Sequence, residues 1–119
     1  QAALACFEPS AIAESEARRC AFRARRDFIV PALEALELRV PVRPDGAFYA
    51  WIDASAHLRP GQTSWSLTFE LMEHAHVALT PGRDFGPAIA DQHLRLSYAN
   101  SLGQLEQAIG RLARTLAAR

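Results

Sequence analysis

The sequence contains no lysine: all thirteen of its basic residues are arginine. A guanidinium keeps its charge and pairs two-pronged with carboxylates and phosphates, but it does not form the imine that an amine forms with a carbonyl. Schiff-base chemistry through a side chain is therefore closed to this chain acting alone. Net charge is also missing, the formal value being zero. A balanced chain makes no electrostatic case for nucleic acid or an anionic membrane as partner. Cysteine is scarce. Cys6 and Cys20 have neither metal-ligand spacing nor a disulfide framework, and reduced thiols in a cytoplasmic protein are the expected state. No apolar run approaches bilayer length, and no signal peptide is visible. Nor is there a glycine-rich phosphate loop, since "PGRDFG" opens no helix.

Half of the 119 residues are hydrophobic, enough for one domain, residues 1–119, with a modest core. The first seven, "QAALACF", are helix formers with no cap before them, so the chain is expected to be a piece of something longer. Ser10 is placed to cap a helix running to about Val30, with Ala13, Ala17, Cys20 (or Ala21), Ala24 and Phe28 as a narrow apolar stripe. Arg18, Arg19, Arg23, Arg25 and Arg26 crowd this helix. Glu14–Arg18 and Arg23–Asp27 are each four apart and able to pair. No aromatic platform accompanies these arginines, so a solvated or packing face is preferred over a nucleic-acid patch. Pro31 is expected to kink the helix or begin another, with Leu33 and Leu36 continuing the apolar face.

"LRVPV", residues 38–42, reads as a short strand at an edge or strand end because of Pro41. "RPDG" fits a type I turn. "AFYAWID" is apolar on both faces, as expected of a central strand, and completes a hairpin. After a loop over residues 55–62, Thr63 or Ser64 caps a helix carrying Leu67, Leu71 and Ala75. "VALT" is a short strand ended by Pro81-Gly82, and an irregular stretch follows over residues 83–92. "HLRLSYA" then alternates as a strand, with His93, Arg95, Ser97 and Ala99 on one side and Leu94, Leu96 and Tyr98 on the other. A capping box of Ser101 and Gln104 opens a final helix with Leu102, Leu105, Ile109, Leu112 and Leu116 as its stripe. The order implies an α+β fold: a small mixed or antiparallel sheet of about four strands with helices packed on it.

Few side chains invite chemistry. His74, His76 and His93 lack a fourth ligand and suitable spacing, so no metal site is expected. Ser97 has no visible histidine and carboxylate partners for a hydrolase. Tyr49 and Trp51 read as core, with a substrate-facing role as the alternative. Arg95 is the exception, because a mid-strand guanidinium is costly to bury without a partner. Two readings stand side by side: an ion pair within the domain, to Asp53 or Asp84, or a clamp for a ligand's carboxylate or phosphate.

"RRDFIVPALEAL", "RPDGAFYAWID", "VALTPGRDFG" and "HLRLSYANSLGQLEQAIGRL", in this order and spacing, resemble the C-terminal portion of class I and II pyridoxal-phosphate-dependent aminotransferases, the fold-type I family. The resemblance spans nearly the whole chain. It implies a small domain whose Arg95, in the "RLSYA" motif, grips the α-carboxylate of the substrate in a two-pronged pair. Holding that carboxylate orients the Cα–H bond for proton loss. It implies an amino acid and a 2-oxo acid as substrates, and pyridoxal 5′-phosphate as electron sink, held with its lysine by a large domain outside these residues. A homodimer in the full-length form is implied as well, and so is inactivity of this chain alone. Phe85 is placed to cover the substrate, and Gly82 and Gly86 to let their loop approach it. Pro87 and Ala88 follow Gly86 where relatives commonly carry a second glycine, a departure that bears on how the loop sits. An aminotransferase-like ligand-sensing domain of a transcription regulator would share every one of these motifs.

Overall fold

The computed structural model describes residues 2–119. Four helices, α1 (Ala2–Ala5), α2 (Pro9–Glu34), α3 (Ser64–Ala75) and α4 (Leu102–Ala117), accompany three strands, β1 (Tyr49–Asp53), β2 (Thr80–Pro81) and β3 (His93–Ser97). The sheet is antiparallel throughout in the order β1-β3-β2, so β3 is central. This is an α+β fold with three strands where the sequence pattern implies four.

The missing strand is residues 38–42, which pair with β1 only through a single bridge, Arg39 to Asp53. Pro41 has no N–H to extend the ladder, and pairing stops there. The "RPDG" segment forms bends with no hydrogen-bonded turn, and Ala47 adopts φ 56° on the way into β1. The expected hairpin is thus reduced to one bridge, and β1 is an edge strand, not the central one. "VALT" likewise contributes only Thr80 before Pro81 ends β2.

One face of the sheet is core. Ala50 and Ile52 of β1 and Leu94 and Leu96 of β3 share a buried cluster with Ile29, Val30 and Leu33 of α2, Leu67 and Leu71 of α3, and Leu105 and Leu112 of α4. Strand alternation sends Tyr49, Trp51, Arg95 and Thr80 to the other face. Both expected caps form. Thr63 and Ser66 make a capping box on α3, and Ser101 and Gln104 make one on α4. Leu102 is exposed in spite of the stripe, as are its neighbours Gly103 and Gln104 in the first turn of α4.

Helix α2 departs most from expectation. Its N-cap is Glu8, with Pro9 in the first turn; the fixed φ of proline suits that position, and Ser10 falls inside the helix. Pro31 sits within the helix and does not end it. The helix closes beyond Glu34, where Leu38 N–H donates to Leu33 O at 3.1 Å and Glu37 N–H to Glu34 O at 3.0 Å. Glu37 holds the left-handed conformation between them (φ 59°). That is the Schellman pattern, in which glycine is usual. Ala13, Ala17, Cys20, Ala21 and Ala24 are all exposed, so the narrow stripe covers nothing in this chain. Arg18 pairs with Glu14 at 2.8 Å, but Arg23 does not take Asp27, which is held by Arg26 and Arg43. The opening residues form the exposed one-turn α1; Gln1, the first of them, lies outside the described residues.

Candidate functional site

The open face of the sheet places one cation among aromatic rings. In the pairing register Trp51 and Thr80 lie on either side of Arg95, so the three side chains form a row across the strands. Tyr49 sits one pleat along β1, opposite Ser97. The Arg95 guanidinium carbon lies 4.3 Å from the Tyr49 ring centroid and 4.6 Å from that of Phe85. The Phe85 ring stands edge-on to Trp51 at 5.6 Å, and Trp51 stacks on His93 at 5.5 Å. His93 is buried, and its Nδ1–H donates to the Ile89 carbonyl at 2.9 Å.

Arg95 itself is half-buried and incompletely satisfied. Among the described residues its guanidinium makes one hydrogen bond, a long one from Nη2 to Thr80 Oγ1 at 3.4 Å, and its buried Nε–H has no acceptor. Among the described residues it makes no salt bridge. Neither carboxylate weighed as a partner from the sequence is paired with it. Asp53 accepts from Arg39 Nη2 at 2.8 Å and from the Ser55 amide at 2.9 Å. Burial raises the Asp53 pKa, but hydrogen bonds from Ser55, and then electrostatic attraction to Arg39 and His93, outweigh it and hold the carboxyl below its ordinary value. Asp84 is exposed and pairs with nothing among the described residues.

Phe85 reaches Arg95 because its turn is pressed onto the chain just before β3. The turn Gly82–Phe85 begins at a glycine whose added Cβ would stand 2.6 Å from Ala90 O and 2.7 Å from His93 O. Only a residue without a side chain fits that contact. Gly86, at φ +136°, then carries the chain away through backbone that L-residues avoid. The residues beyond it stay exposed as far as Ile89 and return to the core at Ala90.

The other sequence candidates are not brought together. His74 lies in the last turn of α3, His76 caps it in the left-handed conformation, and no group of metal-ligating side chains occurs among the described residues. Ser97 is exposed, and its Oγ does no more than accept from the Ala99 amide at 3.4 Å. Tyr49 and Thr80 contact Arg95, and sequence reasoning assigned neither to it. Their proximity depends on strand register, and the only sequence signal for it was the aromatic content of "AFYAWID".

A model of the family described as aminotransferase class I and II matches residues 1–112. The chain belongs to that family. A relative among the aminotransferases, the aspartate/prephenate aminotransferase of Thermus thermophilus, is 43% identical over 101 residues, which are 85% of this chain and 24% of that protein. Among solved structures, the aromatic aminotransferase of Pyrococcus horikoshii OT3 superposes with a TM-score of 0.89 at 30% identity, covering 99% of this chain and 30% of that one. The aspartate aminotransferase of Thermus thermophilus solved with maleate has a TM-score of 0.77 at 41% identity, with 88% and 25% coverage. The chain thus spans about a quarter of the length of the aminotransferases it matches.

Proposed function

We propose that this chain is the small domain of an aminotransferase that moves an amino group between an amino acid and a 2-oxo acid, with Arg95 gripping the substrate carboxylate. The observation that carries this reading is an Arg95 guanidinium on the open sheet face whose Nε is buried without an acceptor and whose Nη end no carboxylate of the described residues takes up. A half-buried cation without an ionic partner is costly, and a ligand carboxylate supplies the missing partner. The solved relative holding maleate, a small dicarboxylate, is consistent with such a ligand.

The family brings pyridoxal 5′-phosphate, but the residues of this chain do not fit its attachment. There is no lysine to bear it, and no glycine-rich cradle opens a helix. The cofactor and its lysine belong to the part of the protein outside these residues, and this chain alone does not transaminate. What it contributes is binding and orientation. The full-length protein is read as a cytoplasmic homodimer, in keeping with the family resemblance and with two free, exposed cysteines. The relatives named above are aminotransferases, and that supports the enzyme over a ligand-sensing domain of a regulator.

The test is Arg95→Ala in the full-length protein. Removing two charge-assisted hydrogen bonds is expected to raise KM for the amino-acid substrate on the order of 100-fold, with cofactor absorbance unchanged. Unaltered kinetics would remove the assignment.

A further inference from the structure

We infer that Tyr49 and Phe85 are positioning residues for the Arg95 clamp: their rings stand in for a counter-ion and hold the guanidinium ordered until a substrate carboxylate arrives. The inference rests on the carboxylate-clamp reading and goes beyond it.

An arginine used to catch an anion faces a conflict. If a carboxylate of the protein pairs with it, the substrate must displace that carboxylate. If nothing touches it, the long side chain is disordered, and its ordering entropy is charged to each binding event. An aromatic face resolves the conflict. It attracts a cation through its quadrupole but offers no oxygen to the N–H groups. The side-chain edge therefore stays available for a two-pronged ionic pair.

Arg95 has this environment. Two rings from different elements lie against its guanidinium, Tyr49 from β1 at 4.3 Å and Phe85 from the turn after β2 at 4.6 Å. The nearby carboxylate, Asp53, is committed to Arg39 and Ser55. Both rings are fixed from behind. Phe48 packs on Tyr49 at 4.5 Å, and Trp51 meets the edge of Phe85 at 5.6 Å while itself stacked on buried His93. The absence of a Cβ at Gly82 is what lets the Phe85 turn approach. Tyr49 and Phe85 are themselves exposed at 38% and 49%, too much for ordinary core packing to explain their placement.

The experiment uses the full-length holoenzyme with Phe85 replaced by 4-fluoro- and then 3,4,5-trifluorophenylalanine. Fluorination weakens the ring quadrupole at nearly constant shape, and the half-exposed position leaves the core untouched. The inference expects KM for the amino acid, and the Kd of maleate by calorimetry, to climb stepwise with fluorine number, with kcat within about twofold. Tyr49→Leu is expected to raise both by about 2- to 30-fold, the range a cation over one ring face contributes. Tyr49→Phe, which keeps the ring face, restores them. Binding that is unchanged or tighter across the fluorinated series, with Arg95→Ala still impaired, overturns the positioning role and leaves the clamp standing. Arg95→Ala without effect overturns the clamp, and the positioning role with it.

Discussion

A guanidinium and an ammonium carry the same charge but differ in shape, and a two-pronged clamp at Arg95 depends on shape. Its Nη2 leans on Thr80 Oγ1 at 3.4 Å, while the rings of Tyr49 and Phe85 lie against its carbon. Arg95→Lys keeps a cation there but loses the planar fork and most of the ring stacking. The variant is expected to bind substrate at least about tenfold more weakly than the parent while surpassing Arg95→Ala. Steady-state KM for the three proteins checks that order. A Lys variant equal to the parent would show that point charge alone is sufficient. The sequence alone shows that Arg95 needs a partner, because alternation puts it mid-strand opposite the leucines. It does not show that Asp53 is unavailable. That depends on Arg39 arriving from a segment 14 residues away through one isolated bridge.

Elements with a strong local signature were legible and weakly paired ones were not. The caps of α3 and α4 and the buried Leu67, Leu71, Leu105 and Leu112 follow from short-range pattern, and the structure reproduces them. Residues 38–42 make one bridge and no hairpin, because β-type composition does not guarantee a ladder when a proline withdraws a donor. The end of α2 departs from its pattern for a different reason. Pro31 suggested a break, and the true stop carries glutamate where the left-handed position usually holds glycine. That substitution gives a prediction. Glu37 is exposed at φ 59°, so Glu37→Gly relieves left-handed strain and is expected to stabilise the chain by about 0.5–1 kcal/mol, partly offset by the freedom glycine adds to the unfolded chain. Denaturant unfolding midpoints measure this. A lower midpoint would mean that the Glu37 side chain contributes more than its backbone costs.

Across the whole molecule the chain is elongated, with extents of 54 × 31 × 24 Å and a radius of gyration of 16.4 Å. A compact domain of this length would measure about 13.5 Å. The excess comes from α1 and the first half of α2, which extend beyond the core with Leu4, Phe7 and Ile12 exposed. Stability also varies with pH. Asp53 titrates below its ordinary value when folded, in spite of burial, because of Ser55, Arg39 and His93. Its contribution is full above about pH 4, the unfolded aspartate value, and is lost as pH falls through the lower folded value. Glu16 and Asp27 are lowered as well, by hydrogen bonds from Arg19 and from Arg26 and Arg43, but both are exposed and salt screens them. In high salt, Asp53→Asn is therefore expected to flatten the loss of stability below about pH 4 relative to the parent. Identical acid limbs for the two proteins would show that the Asp53 cluster adds nothing to folding.

Arg95 lies on a sheet face that the described residues leave open. The measurement that bears most directly on its role is a crystal structure of the full-length protein with a bound dicarboxylate such as maleate. The account predicts one carboxylate in a two-pronged pair with Arg95, at about 2.7–2.9 Å, with Tyr49 and Phe85 still against the guanidinium. A ligand seated with its carboxylates on other cations, and Arg95 left as it is here, would contradict it.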